Sequence, residues 1–175
     1  KLVDPITGHE LPWDGKNVGE VWVRGPYTIR EYFNDPRTGE QCTADGWWKS
    51  GDLATIDELG YMKIVDRLKD VIKSGGEWIS SVDLENFLMA HPAVSEATVI
   101  GLPHPKWEER PLAVIVLLPG QRIESQENIE KELIEYLLKK FSRWQLPEKF
   151  LFIDEIPKTG TGKVDKKELR ERYKN

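Results

Sequence analysis

The stretch DRLKDVIKSGGEWISS, from Asp66 to Ser81, divides the chain into two parts of different character. Before it, segments such as Gly19–Gly25 alternate inward and outward side chains between turns rich in proline and glycine, which is typical of β-strands. After it, segments with helical spacing alternate with apolar segments of strand length. The sequence therefore predicts an α+β fold: a small β-barrel or sheet with a hairpin over residues 1–67, then a compact α+β unit over residues 68–175.

A hairpin is predicted directly before this stretch. Residues 53–56 and 61–65 have strand composition, and Asp57-Glu58-Leu59-Gly60 between them has turn composition. Asp66 is expected where the hairpin ends, so the boundary between the two parts falls at Arg67 to Lys69.

The second part opens with a helix. Ser80, with Asp83 three residues later, resembles a capping box, and His91-Pro92 ends the helical pattern. Two strands, an amphipathic helix, a short strand and a terminal helix are predicted to follow, over residues 94–101, 112–118, 129–141, 149–153 and 165–173.

Composition excludes several classes of function. The 175 residues carry a net charge of −5 with both signs interspersed, so no broad basic surface for nucleic acid is expected. Cys42 is the single cysteine, and no cysteine or histidine pair has zinc-ligand spacing, which predicts no metal site and fits a reducing compartment. His9, His91 and His104 each have a proline within three residues, as turn positions do.

The longest apolar run, Leu112 to Leu118, is too short to span a bilayer, and the amino terminus has no signal-peptide pattern. The chain is therefore expected to be cytoplasmic and to touch membranes at most through a lipid-like substrate.

Asp52 is the first candidate for chemistry. It follows Ser50-Gly51 and the aromatic pair Trp47-Trp48. An ionised carboxylate can accept two hydrogen bonds at once, which matches the adjacent 2′- and 3′-hydroxyls of a ribose. The alternative is a turn in which Asp52 only bonds its own backbone.

Charge is also concentrated at the predicted boundary. Arg67 could contact a nucleotide while the torsions of Leu68 and Lys69 let the next unit turn. The alternative for Arg67 is an ordinary surface salt bridge.

A glycine loop follows within the stretch that divides the chain. Gly75 and Gly76 permit close approach of a ligand, and Trp78 offers a flat face for an adenine or for the wall of a channel. A plain turn between a strand and a helix would use the same glycines.

The last candidate is Lys163, in the segment PKTGTGK that begins at Pro157. This segment is not a phosphate-binding P-loop, because Pro157 stands where that motif has glycine and Val164 where it has serine or threonine. Lys163 instead follows a Gly-Thr-Gly stem and could place one positive charge between a carboxylate and a phosphate. The alternative is a solvated lysine in a loop.

Taken together, the identity, order and approximate spacing of these segments resemble the adenylate-forming superfamily, in particular the C-terminal portion of AMP-forming acyl-CoA synthetases. The resemblance runs from Asn17-Val18-Gly19-Glu20-Val21, through Asp45-Gly46-Trp47, to the Lys163 loop. It implies that Asp52 and Arg67 bind the nucleotide and that Leu68 and Lys69 form the hinge of a mobile C-terminal lid domain. Lys163 would then be the lysine of adenylation. The loop that would serve the CoA tunnel and thioester formation consists of Lys73, Ser74, Gly75, Gly76, Glu77 and Trp78.

Within the superfamily, the stretch from Asp66 to Ser81 looks most like medium- and long-chain fatty acyl-CoA synthetases. The implied reaction joins a fatty acid to ATP, giving acyl-AMP and pyrophosphate, and then transfers the acyl group to CoA. The implied cofactor is Mg²⁺, whose site would lie in a preceding amino-terminal domain together with the phosphate loop and the acyl pocket. The chain is therefore expected to be a C-terminal fragment that is inactive by itself.

Two departures from the resemblance keep other outcomes open. Ser50 and Lys69 stand where many relatives have threonine and aspartate, and Lys69 is also seen in luciferase-like members. The alternatives are a luciferase- or peptide-synthetase-type adenylation unit and a stand-alone module that binds CoA or an adenylate. Acyl-chain length and oligomeric state are not indicated.

Overall fold

Two units make up the chain, Lys1–Lys69 and Asp70–Asn175. The computed structural model describes residues 1–29, 31–32, 34, 38–120 and 126–174. The predicted boundary after Arg67 lies two residues before this division. The mixed α+β class predicted from the sequence is confirmed, with a separate sheet in each unit.

The first unit is an antiparallel sheet with the strand order β2-β1-β3-β4-β5. Its elements are β1 (Leu2–Val3), β2 (Glu10–Leu11), β3 (Gly19–Val23), a single helical turn α1 (Thr38–Gln41), β4 (Trp48–Ile56) and β5 (Met62–Arg67). The predicted hairpin is present as β4 and β5. Over the described residues the strand path is open, so of the two alternatives the sheet forms and the closed barrel does not.

Aspartates close two turns of the first unit. Asp14 accepts hydrogen bonds from the backbone N–H groups of Lys16 and Asn17, at 2.8 and 2.9 Å. These bonds, with the one from Asn17 the largest cause, lower the pKa of Asp14 below its ordinary value. Asp4 accepts from Ile6 in the same way, and its pKa is lowered too.

The second unit is built around one long hairpin, which residues 94–117 form. Its elements are β6 (Ile72–Ser74), β7 (Glu77–Ile79), α2 (Ser81–Met89), β8 (Val94–His104), β9 (Glu108–Leu117), α3 (Gln126–Leu137), β10 (Lys149–Phe152) and α4 (Lys166–Tyr173). β8 and β9 pair in antiparallel register from Val94 opposite Leu117 to His104 opposite Glu108. β10 lies parallel to β9, and β6 joins β9 at Ser74 opposite Glu108.

Local sequence signals account for most of these elements. The side chain of Ser80 accepts from the Asp83 backbone N–H at 3.1 Å and begins α2, as predicted. The strands over 72–74 and 77–79 were not predicted. Gly75-Gly76 therefore joins two strands rather than a strand and a helix, with φ angles of 62° and 86° that glycine adopts without cost.

Two apolar cores hold the second unit together, one on each face of its sheet. Val99, Ala113 and Ile115 pack with α2 and α3 on one face. Ile100, Leu112 and Val114 pack with Leu169 of α4 on the other. This alternation along β8 and β9 explains why both strands are apolar almost throughout.

Glu85 of α2 connects these layers. Its carboxylate accepts from the Thr98 hydroxyl at 2.9 Å and from the Val99 backbone N–H at 2.8 Å, on β8. Lys166 of α4 pairs with the same oxygen at 2.7 Å and also donates to the Ser81 hydroxyl. The largely buried Glu85 carboxylate thus has three partners and fixes the orientation of α2, β8 and α4 relative to one another.

No helix within the described ranges is long and apolar enough to cross a bilayer.

Candidate functional site

The first unit places Asp52 beside Arg67. The two residues are directly opposite each other in the β4–β5 register, and the Arg67 Nε lies 3.8 Å from the Asp52 carboxylate. Both side chains are about half exposed. Asp52 lies inside a strand, so the alternative of a turn closed by this residue is not what forms. The pair presents one acceptor group and one cationic group on the same surface.

An open cavity of about 470 Å³ lies over this pair. Its lining residues are Gln41, Ser50, Gly51, Asp52, Arg67, Leu68 and Lys69. Leu68 donates its N–H to the carbonyl of Gly51 at 2.8 Å, which holds the end of β5 against β4. The residues predicted to bind nucleotide and those predicted to form the hinge therefore line one surface of the first unit.

Glu20 supports this site from behind, a role that the sequence did not indicate. Its buried carboxylate accepts from the Gly51 N–H at 3.1 Å and from the Trp22 indole at 2.8 Å. Gly51 has a φ of 74°. The alternation predicted for β3 is wrong at this point, because Glu20 is buried and Val23 is 45% exposed where the register of β3 shifts. A bonded carboxylate can be buried at a position where an unbonded one could not.

Trp47 and Trp48, which precede Ser50, lie outside the cavity lining. Trp47 is covered by the Arg24 guanidinium at 4.4 Å, and Trp48 makes an edge-to-face contact with Tyr32. These contacts of Trp47 and Trp48 stabilise the sheet next to Gly51.

The second unit contains a second cavity, of about 540 Å³, at the β6–β7 hairpin. Its lining residues are Ser74, Gly75, Glu77, Trp107, Arg110, Trp144 and Glu148. Trp107 and Trp144 are 42% and 45% exposed, so part of each indole is accessible. The N–H of Gly75 donates to the carbonyl of Trp107 at 2.9 Å, and a Cβ on Gly75 would lie 3.0 Å from the Trp107 ring.

The hairpin register separates the predicted loop residues into two sets. Ser74 is opposite Glu77, and Lys73 is opposite Trp78. Successive side chains of a strand point to opposite faces, so Lys73 and Trp78 lie on the face away from Ser74 and Glu77. The aromatic residues at the cavity are therefore Trp107 and Trp144, whereas Trp78 is not in its lining.

Lys163 lies in a hairpin-like loop of the second unit, outside both cavity linings. Thr159 donates its N–H to the Lys163 carbonyl at 2.7 Å, and Lys158 and Val164 form an antiparallel bridge. The Lys163 side chain is exposed. Among the residues that the structure describes, nothing pairs with its ammonium group, so its charge is available to a ligand.

No cluster of three or more histidine, cysteine, aspartate or glutamate side chains suited to a metal occurs in the described part of the chain.

Comparison with known proteins gives one family match. Residues 83–163 match the model of the AMP-binding enzyme C-terminal domain. Among curated proteins, a long-chain-fatty-acid–CoA ligase of Thermus thermophilus is 52% identical over 96% of this chain, and a medium-chain-fatty-acid–CoA ligase of Ectopseudomonas oleovorans is 46% identical over 95%. The chain spans only 30% and 29% of the length of these relatives.

Solved structures give the same indication. The structure of ATP-bound MatB from Rhodopseudomonas palustris matches with a TM-score of 0.85 and 34% identity over 99% of this chain. The anthranilate CoA ligase AuaEII, in complex with anthranoyl-AMP, matches with a TM-score of 0.85 and 33% identity over 99%. The chain covers 33% of each of those proteins.

Proposed function

We propose that the chain, whose residues 83–163 match the model of the AMP-binding enzyme C-terminal domain, is the C-terminal part of a fatty acid–CoA ligase. The parent enzyme joins a fatty acid to ATP, releases pyrophosphate and holds acyl-AMP. It then transfers the acyl group to the thiol of CoA and releases AMP. The similarity to ligases for long- and medium-chain fatty acids supports this substrate class.

The observation that carries the proposal is the cross-strand pair of Asp52 and Arg67 in the lining of one cavity. The carboxylate of Asp52 accepts hydrogen bonds from the two ribose hydroxyls of ATP or acyl-AMP. The guanidinium of Arg67 lies 3.8 Å away and contacts the ribose and the phosphates. The pair therefore offers an acceptor for the ribose hydroxyls and a cation for the phosphate of one nucleoside monophosphate.

Lys163 serves the adenylation step. Its exposed ammonium group places one positive charge on the oxygens that become more negative as the fatty carboxylate attacks the α-phosphorus. A pair of unit charges at 4 Å is worth about 1 kcal/mol in bulk water and about 4 kcal/mol in a partly shielded site. The lysine therefore contributes only when the site closes around it and excludes water.

Leu68 and Lys69 lie at the end of the first unit and act as the hinge between the two half-reactions. Rotation there withdraws Lys163 after acyl-AMP has formed and brings the Gly75-Gly76 turn to the acyl group. The same mobile unit thereby serves both steps.

The cavity at the β6–β7 hairpin receives CoA. Gly75 and Gly76 have no side chains to obstruct the pantetheine arm, and both are exposed. Trp107 and Trp144 provide the flat apolar surfaces on which an adenine ring stacks. Lys73 and Trp78, on the opposite face of the hairpin, orient it rather than contact CoA.

The test uses the full-length enzyme that contains this chain. We expect ATP–pyrophosphate exchange that depends on a fatty acid, and acyl-CoA formation once CoA is added. Lys163→Ala lowers the exchange rate by about 10²- to 10³-fold, whereas acyl-CoA formation from supplied acyl-AMP falls much less. The matched control is Lys167→Ala, because Lys167 is an exposed lysine in α4.

Equal losses in the two half-reactions would remove the proposed role of Lys163. Exchange without acyl-CoA formation would favour a luciferase- or peptide-synthetase-type unit, which the lysine at position 69 makes the second candidate. Absence of any fatty-acid-dependent exchange would contradict the proposed function and favour a module that only binds.

A further inference from the structure

Arg110, near the start of β9, has polar partners in three other parts of the second unit's sequence: Ser74, the segment with Trp144 and Leu146, and Glu148. Its side chain is 17% exposed. Nη1 donates to the Ser74 hydroxyl at 3.0 Å and to the Trp144 carbonyl at 2.7 Å, and Nη2 donates to the Leu146 carbonyl at 3.2 Å. Nε lies 3.7 Å from the Glu148 carboxylate. Both Nη atoms of the guanidinium are therefore hydrogen-bonded, and Nε is paired with a carboxylate.

Two of these partners, Ser74 and Trp144, line the CoA cavity and belong to two separate chain segments, which form two of its walls. Ser74 is the residue directly before the Gly75-Gly76 turn, and it is 5% exposed. Trp144 and Leu146 belong to the segment that joins α3 to β10, and Trp144 presents its ring to the cavity. A single side chain thus holds the glycine turn on one wall and the tryptophan on the other.

Other bonds maintain the fold without Arg110. The Gly75 N–H is bonded to the Trp107 carbonyl, and the Glu148 N–H is bonded to the Pro111 carbonyl at 2.9 Å. Leu146 is buried in the apolar core. Each wall is therefore attached to β9 separately. What Arg110 adds is the direct connection between the walls, which sets their separation.

We propose that Arg110 is a positioning residue for acyl transfer to CoA, acting through Ser74 and Trp144. This inference rests on the proposed function. Without the guanidinium, the Ser74 hydroxyl and two carbonyls lose a charged donor, and the Trp144 segment can shift relative to the glycine turn. A shift on the order of 1 Å is enough to cost 10²-fold in a step that depends on orientation. The adenylation step does not use this cavity.

The first arm of the experiment separates the half-reactions in the full-length enzyme. Arg110→Met keeps much of the side-chain length but has no donor, and Arg110→Lys retains the charge with a single donor group. We expect the ratio of the acyl-transfer rate to the adenylation rate to fall at least tenfold in Arg110→Met, with a raised KM for CoA. Arg110→Lys should recover part of this loss. Equal losses in both half-reactions would overturn the inference.

The matched control is Arg143→Met. Arg143 lies in the same segment as Trp144, is exposed, and has no side-chain partner within the described ranges. The control should retain the wild-type ratio of the two rates. A loss as large as that of Arg110→Met would overturn the inference.

The second arm measures backbone hydrogen exchange of the same variants and does not depend on CoA. We expect residues 72–79 and 142–148 to exchange about tenfold faster in Arg110→Met, and at the wild-type rate in Arg143→Met. Unchanged exchange in Arg110→Met would overturn the inference. If the wild-type enzyme makes no acyl-CoA, the proposed function fails, and this arm still decides whether Arg110 positions the two walls.

Discussion

Arg170 of α4 donates to Asp70, the first residue of the second unit, with 2.7 Å between Nη2 and Oδ1. The two side chains are 29% and 13% exposed, so the pair is largely shielded from water. α4 begins three residues after Lys163. The pair therefore connects the residue that follows Lys69 with the helix that begins three residues after Lys163.

Asp70→Asn and Arg170→Gln should each lower the free energy of unfolding by about 1–3 kcal/mol, because each leaves a shielded charge without its partner. Chemical denaturation followed by circular dichroism measures this change. Lys167→Gln is the control, since Lys167 pairs with Glu171 at 3.9 Å on an exposed face, and it should change stability by less than about 0.5 kcal/mol. Equal effects of the three substitutions would show that Arg170 does not anchor α4.

Asp52→Asn should raise the KM for ATP in the full-length enzyme by about tenfold or more, because the amide replaces the carboxylate that we propose accepts from two ribose hydroxyls. The measurement is initial-rate kinetics of ATP–pyrophosphate exchange. Glu58→Gln removes one negative charge from the exposed turn of the same hairpin and should leave the KM for ATP unchanged. An unchanged KM in Asp52→Asn would rule out ribose binding by this residue.

Glu20→Gln should destabilise the part of β4 that carries Gly51 and Asp52. Both carboxylate oxygens of Glu20 are acceptors, and the amide nitrogen of glutamine would face one of the two donors, Gly51 or Trp22. We expect a loss of about 1–3 kcal/mol in unfolding free energy. Asp52 keeps its own chemical groups in this variant, so a raised KM for ATP would report its displacement. Wild-type values of both quantities would contradict the supporting role.

Gly75→Ala should impair acyl transfer to CoA more than Gly76→Ala does. Both positions have positive φ, which costs alanine about 1–2 kcal/mol. Only at Gly75 would the new Cβ meet the Trp107 ring, at 3.0 Å, whereas nothing lies within 4 Å of a Cβ at Gly76. Single-turnover formation of acyl-CoA from supplied acyl-AMP compares the two variants. The same rate in both would show that the contact with Trp107 is unimportant.

Acid should weaken the first unit through its turn aspartates. The folded pKa of Asp14 is lowered, so the stability that it contributes is fully present above its unfolded pKa of about 3.9 and is lost as the pH falls through the folded value. Asp14→Asn should flatten this decline below about pH 4. Denaturation midpoints over this range test the prediction, and an identical decline in wild type and Asp14→Asn would contradict it.

Elements with strong local signals were predictable from the sequence. The β4–β5 hairpin was indicated by two apolar segments around a turn, and the start of α2 by Ser80 with Asp83. β6 and β7 were not predictable, because three-residue strands are too short to show alternation. Their pairing depends on the glycine turn and on β9.

Of the candidate site, the sequence indicated only the residues that lie close together in sequence or that the predicted hairpin brings together. Asp52 and Arg67 were singled out separately, and the register of β4 with β5 brings them together. Arg110 and Trp144 lie 36 and 70 positions beyond Ser74, and no local pattern indicates that tertiary packing places them around one cavity. Glu20 was missed for the same reason, because its partner Gly51 is 31 positions away.

Glu85 also has a consequence for the behaviour of the second unit in solution. β9 is the one strand that pairs with β8 among the described residues, so the other side of β8 is an edge. The Val99 amide is already bonded to Glu85 and cannot recruit a strand from another molecule. Lys166 pairs with the Glu85 carboxylate and offsets the cost of burying its charge. Glu85→Ala would leave the Val99 amide without this acceptor and able to pair with a strand of another molecule. Aggregation would then compete with refolding.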